Sequence, residues 1–96
     1  MSIRVTLNCQ VKANQFAELS PFLEANLPNV RGFKGNRKVT VLFDDASGEM
    51  LLDEEWASVE HHQSYIAFIS ENGVLDQLQS FLASAPDIKY FKTLNI

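Results

Sequence analysis

KVTVLFDDASGEMLLDEEWAS, residues 38–58, is the stretch that decides how this chain folds. Lys38 to Phe43 alternates toward apolar residues, Val39, Val41 and Phe43, and reads as a strand. Asp44-Asp45-Ala46-Ser47-Gly48 carries the residue types of a hairpin connection. A second strand runs from about Glu49 to Trp56, so the two lie antiparallel. Two residues later Ser58 is placed to cap a helix, which reaches roughly Glu71 and stops before Gly73, a suitable C-terminal glycine. Because side chains alternate along a strand, Glu54 and Trp56 share one face.

Outward from this unit the pattern continues. In Ile3 to Val11 every second residue is apolar (Ile3, Val5, Leu7, Cys9, Val11), which predicts a strand with two unlike faces. Phe16, Leu19, Leu23 and Leu27 then recur at helical spacing, with Asn14 as the expected N-cap. Pro21 predicts a kink or a restart of this helix, and Pro28 its end. Beyond the central helix, Leu75, Leu78, Phe81 and Leu82 read as a short further helix, and Asp87 to Leu94 as the last strand, with Pro86 between them. The order β-α-β-β-α-(α)-β is the split arrangement of ferredoxin-like α+β folds: a four-stranded antiparallel sheet with helices on one face. Ninety-six residues suffice for one domain, 1–96, and not for two.

The uncovered face carries the next inference. Apolar residues fall on both alternating sets: Met50, Leu52 and Trp56 against Leu51, Val39, Val41 and Phe43 against Leu42, and Ile88, Tyr90 and Leu94 against Phe91. Both faces are therefore expected to be at least partly buried, and a chain this short covers its open face most economically with a second copy. A homodimer is the expectation.

Composition narrows the partners. The net charge is -4 and no run of Lys or Arg is present, which argues against nucleic acid. Apolar runs are only a few residues long and the N-terminus alternates from Arg4 onward, so neither a signal peptide nor a membrane span is expected, and a cytoplasmic location follows as the default. Cys9, the single cysteine, allows no disulfide and no cysteine-based zinc site; on its strand it reads as a small buried hydrophobe.

Leu27-Pro28-Asn29-Val30-Arg31-Gly32-Phe33-Lys34-Gly35, then strand, hairpin, Glu54-Glu55-Trp56-Ala57-Ser58, and a helix with Tyr65 nine residues after the tryptophan together resemble the antibiotic biosynthesis monooxygenase domain. The similarity continues through Pro86-Asp87-Ile88-Lys89-Tyr90-Phe91 and covers nearly the whole chain. The E-x-W-x-S junction between strand and helix is its most specific element. The resemblance implies a dimeric α+β barrel with a pocket between sheet and helices in each subunit. It also implies chemistry without cofactor or metal, in which a phenol or hydroquinone is deprotonated and itself gives electrons to dioxygen. For that the protein supplies a dry pocket, a proton acceptor and polar groups that steady the anion.

Carried over residue by residue, Trp56 is expected as a pocket wall or as core packing. Glu54 is a base or orienting group on the same strand face, or one of a solvated pair with Glu55. Asn8 matches an asparagine that some members use to hold substrate or oxygen, or is an exposed strand residue. Tyr65 stands where the quinol-oxidising branch tends to place histidine. His61 and His62 precede it on the same helix, and His62 is the expected replacement base, with an ordinary pKa near neutrality. At helical spacing Tyr65, Ile69, His62 and Ile66 cluster on one side, with His61 and Phe68 at its border. Glu54, His61, Phe68 and Ile69 are thus expected to contact substrate, and His62, Trp56, Asn8 and Tyr65 to carry chemistry. Ile69 departs from the arginine common in close relatives, and Asn36 from a common cysteine. The function these residues predict is a cofactor-independent monooxygenase of a small aromatic substrate. The competing readings are a non-catalytic dimer that binds a small apolar ligand, and a haem-binding relative using His61 or His62.

Overall fold

The computed structural model describes residues 2–96. Its elements are β1 (Ile3–Gln10), α1 (Phe16–Arg31), β2 (Asn36–Asp44), β3 (Glu49–Trp56), α2 (Val59–Glu71), α3 (Val74–Ser80) and β4 (Asp87–Lys92). The four strands form one antiparallel sheet in the order β2-β3-β1-β4. This is the split ferredoxin-like arrangement, with β1 and β3 at the centre and β2 and β4 as edges.

Alternation sorts the sheet into two faces. On the helix side one cross-strand row reads Val41–Leu52–Leu7–Ile88, and the next Val39–Glu54–Val5–Tyr90. Val5, Leu7, Cys9, Met50, Leu52 and Trp56 are buried there with Leu19, Leu23 and Val30 of α1 and Leu78 of α3 in one cluster. The hairpin after β2 is held by Asp44, whose carboxylate accepts from the Ala46 N–H at 3.1 Å and the Ser47 hydroxyl at 2.8 Å. These bonds hold the Asp44 carboxyl below its ordinary pKa.

The first helix corrects two sequence expectations. It runs unbroken through Pro21 and Pro28 to Arg31, where the sequence predicted an end at Pro28. Each proline removes one helical hydrogen bond, at about 3 kcal/mol in an isolated helix. Burial of Leu19, Leu23 and Val30 contributes about 1.5–3 kcal/mol each and offsets that loss. Asn14 is not the N-cap: it takes a left-handed φ of 62°, and Gln15 precedes the helix without a side-chain cap bond. The second helix starts as its sequence predicts, with Ser58 Oγ accepting from the His61 N–H at 3.2 Å. Gly73, with φ +85°, makes the turn into α3.

The open face is more polar than the sequence implied. Arg4, Thr6 and Asn8 of β1 lie beside Asp53, Glu55 and Leu51 of β3, and Arg4 pairs with Asp53 at 3.1 Å. Leu42 and Phe91 are about half exposed at opposite edges of this face. Alternation correctly placed these apolar residues on the open side. It did not show that charged neighbours separate them. β4 is exposed along its whole length, and Leu94 and Ile96 beyond it are exposed too.

Candidate functional site

Glu54 is in the interior because of strand periodicity. It follows Met50 and Leu52 at two-residue steps, and the register that buries those residues must bury it as well. It is 4 % exposed, between Val39 and Val5 in its row. A buried carboxylate needs a donor. Trp56, two residues on and fully enclosed, supplies one: its indole N–H donates to Glu54 Oε1 at 2.7 Å. Burial nevertheless dominates and raises the Glu54 pKa; the Trp56 bond opposes this and the nearby Asp53 charge adds to it.

The second polar group arrives from α2. His62 is fully buried, edge-on to Trp56 at 5.3 Å between ring centroids. Its Nδ1 lies 2.8 Å from the Tyr90 hydroxyl of β4, and its Nε2 lies 4.0 Å from Glu54 Oε1, too long for a hydrogen bond. Nε2 is buried and has no hydrogen-bond partner among the described residues. Burial lowers the His62 pKa from 6.5 to about 4. At neutral pH the imidazole is therefore uncharged, and Glu54 and His62 do not form an ion pair despite their proximity. Tyr65, one turn further along α2, is pushed up to about 12 by burial and by the Glu54 charge, and stays protonated.

Glu54 and His62 both line a cavity between the sheet and the helices. Its volume is about 60 Å³, and apart from Asn26 and Tyr65 its remaining wall is apolar, including Leu7, Leu52, Leu23, Ile66 and Ile69. An apolar protein cavity that admits a benzene-sized ring measures roughly 150 Å³, so no aromatic ring fits in the conformation described. An outer groove of about 370 Å³ lies against the cavity and shares Asn26, Tyr65, Ile69 and Val74 with it. These four residues form the wall between the two spaces.

The residues predicted for the site fall into two groups. His62, Tyr65 and Ile69, on one face of α2, line the cavity together with Glu54; Ile66, on the same face but not among the predicted site residues, lines it too. Trp56 lies behind them and holds Glu54 rather than forming cavity wall. Phe68 is half exposed, borders the outer groove and packs on Phe33 at 5.6 Å. His61 turns away: its Nδ1 is 2.7 Å from Ser58 Oγ, and its ring packs on Gly35, where an added Cβ would come within 2.4 Å of the imidazole. Gly35 has φ +94°, so this position needs glycine for its backbone as well as for space. Asn8 lies on the opposite sheet face, donating to Glu49 at 2.7 Å. Sequence reasoning missed Tyr90 as a site residue. The available signal was its place in the helix-facing set of the last strand, but the contact with His62 spans 28 residues of chain.

His61 packs over Gly35 with its Nδ1 on the Ser58 hydroxyl, and His62 is enclosed between Tyr90 and Glu54. Among the described residues no group of three or more His, Cys, Asp or Glu side chains could hold a metal ion, and no helix is long and apolar enough to cross a membrane.

No protein-family model matches the chain, and no curated protein matches it. Solved structures do. A conserved protein from Methanosarcina mazei Go1 superposes with a TM-score of 0.86 at 17% identity, over 98% of this chain and 94% of that one. A protein from Bordetella bronchiseptica, named as a candidate antibiotic biosynthesis monooxygenase, superposes with a TM-score of 0.85 at 13% identity over 97% of both chains. A protein from Nitrosomonas europaea with the same designation gives 0.84 at 12% identity, over 98% of this chain and 91% of that one. Identities this low establish architecture alone, and the architecture agrees across whole chains: this protein has the α+β fold of structures named antibiotic biosynthesis monooxygenases.

Proposed function

We propose that this protein is a homodimeric, cytoplasmic, cofactor-independent monooxygenase that acts on a small aromatic substrate of the phenol or hydroquinone type. One observation carries the reading. A carboxylate and a neutral imidazole, both buried, face each other at 4.0 Å in the wall of a largely apolar cavity, and the imidazole Nε2 has no partner among the described residues. Burying two such groups costs several kcal/mol, a cost that folding alone does not require.

The sequence favoured His62 as the base. Its lowered pKa makes it a weak one, whereas burial shifts Glu54 toward the neutral range where a general base is most effective. In this reading Glu54 accepts the hydroxyl proton of the substrate, and His62 Nε2–H donates to the resulting phenolate. The phenolate gives electrons to dioxygen. One oxygen atom bonds to a ring carbon, and the other leaves as water with the hydrogen displaced from that carbon and the hydroxyl proton, so a phenol and dioxygen become a quinone and water. Tyr65, Ile69 and Val74 move outward to admit the ring.

The second copy is supported by half-exposed Leu42 and Phe91 on the open face and by the wholly exposed edge β4. A cytoplasmic location suits the single buried free thiol of Cys9, which burial holds up at about 11 and so keeps unreactive.

The test is dioxygen consumption over a panel of phenols and hydroquinones, with light scattering on the same sample. Consumption by the wild type is expected, falling about 100-fold or more in Glu54→Gln, with a mass twice 10.8 kDa. Tight binding of panel members without oxygen uptake would favour the non-catalytic binding dimer instead. Uptake that Glu54→Gln leaves unchanged would remove the site from the chemistry.

A further inference from the structure

Among the described residues only one nitrogen of His62 has a hydrogen-bond partner, and that partner comes from the edge of the sheet. We propose that Tyr90 is a positioning residue: its hydroxyl donates to His62 Nδ1, which places the imidazole proton on Nε2 and aims that N–H at Glu54 and the cavity.

The geometry discriminates between the two possible tautomers. If Nδ1 carried the proton and donated to the Tyr90 oxygen, the bare Nε2 lone pair would face Glu54 Oε1 at 4.0 Å. That oxygen is itself an acceptor, already receiving the Trp56 N–H at 2.7 Å. Two acceptors would then confront each other, at the cost of a buried and unpaired nitrogen. With the proton on Nε2 the same pair becomes a donor facing an acceptor, and Nδ1 is left to accept from Tyr90 at 2.8 Å. Burial and the Glu54 charge raise the Tyr90 pKa, so its proton is available to donate throughout the neutral range.

The groups facing the ring come from two strands: Glu54 and Trp56 from β3 and Tyr90 from β4. Tyr90 differs from the others in being 40% exposed while the imidazole beneath it is fully buried. It therefore covers the outer edge of His62 with its ring and reaches Nδ1 with its hydroxyl, two tasks that Phe would divide.

The tautomer stands by itself, while its kinetic consequence rests on the function proposed above. The experiment is nitrogen-15 NMR of the full chain with labelled histidine at pH 7, with His61→Gln to assign the two rings. For wild-type His62 we expect a protonated Nε2 and a bare Nδ1. In Tyr90→Phe we expect loss of that single pattern in favour of mixed tautomers. A wild-type ring protonated at Nδ1 would overturn the proposal, as would a Tyr90→Phe spectrum identical to wild type. In the oxygen-uptake assay Tyr90→Phe should lower kcat about tenfold, the worth of one neutral hydrogen bond, with KM changed by less than roughly twofold. A fully active Tyr90→Phe enzyme would end the positioning role. A wild type without uptake on any substrate would overturn the oxygenase reading and leave the NMR result to decide the tautomer.

Discussion

Two neighbouring rows of the same buried sheet face have different tasks. Val41–Leu52–Leu7–Ile88 is apolar across all four strands, whereas the adjacent row, Val39–Glu54–Val5–Tyr90, places a carboxylate between two valines and a phenol at the edge. The backbone is the same and the helices cover both. The first row does what a core must: it removes apolar surface from water. The second gives up part of that stabilisation to hold a carboxylate and a phenol against the His62 imidazole of α2, the arrangement on which the proposed function rests. Cys9 and Met50, one row further from the polar end, continue the apolar type.

Substitutions can break or sharpen this contrast. Largest is the expected loss in the apolar row: Leu7→Ala should cost about 2–5 kcal/mol, since it deletes buried methyl groups beside an existing cavity. Glu54→Gln, one row away, should leave stability at neutral pH equal to or above wild type, because Gln still accepts the Trp56 N–H and no charge is buried. The folded pKa of Glu54 is raised, so its favourable contribution is present at low pH and is lost as pH rises from about 4.5 through the folded value. Denaturant titrations at several pH values check both, and a large loss in Glu54→Gln at neutral pH would erase the distinction between the rows.

The imidazole gives the next effect, of opposite sign. A pKa lowered from 6.5 to about 4 means that the unfolded chain binds the His62 proton first, so stability falls as pH drops from 6.5 toward 4, by about 3 kcal/mol at most. His62→Gln should flatten that limb in thermal melts. An unchanged acid limb would show that other groups produce it.

Smallest is the open face. The Arg4–Asp53 pair at 3.1 Å is exposed on the arginine side, and Arg4→Gln should change stability by no more than about 0.5 kcal/mol. A greater loss, at protein concentrations where light scattering gives a doubled mass, would place this pair inside the interface between copies.

Local chemistry was enough to read the framework. Alternation in Ile3 to Val11 and in Glu49 to Trp56, the hairpin residues Asp44 to Gly48, and Ser58 as a cap each act over a few residues, and each element appears where its pattern put it, although the first strand ends at Gln10 with Val11 in an isolated bridge. The cavity-facing side of α2, with His62, Tyr65, Ile66 and Ile69, was legible for the same reason. Continuation of α1 past Pro28 was not, because proline's local cost is outweighed by side chains that find their partners only in the folded sheet.

The sequence by itself determined which residues share a face, since the periods of strand and helix are properties of the backbone. Only the tertiary structure decided that Glu54 meets His62 and that Tyr90 reaches His62. Those contacts depend on strand order and helix placement, which are set by how the whole core packs and not by any local stretch of chain.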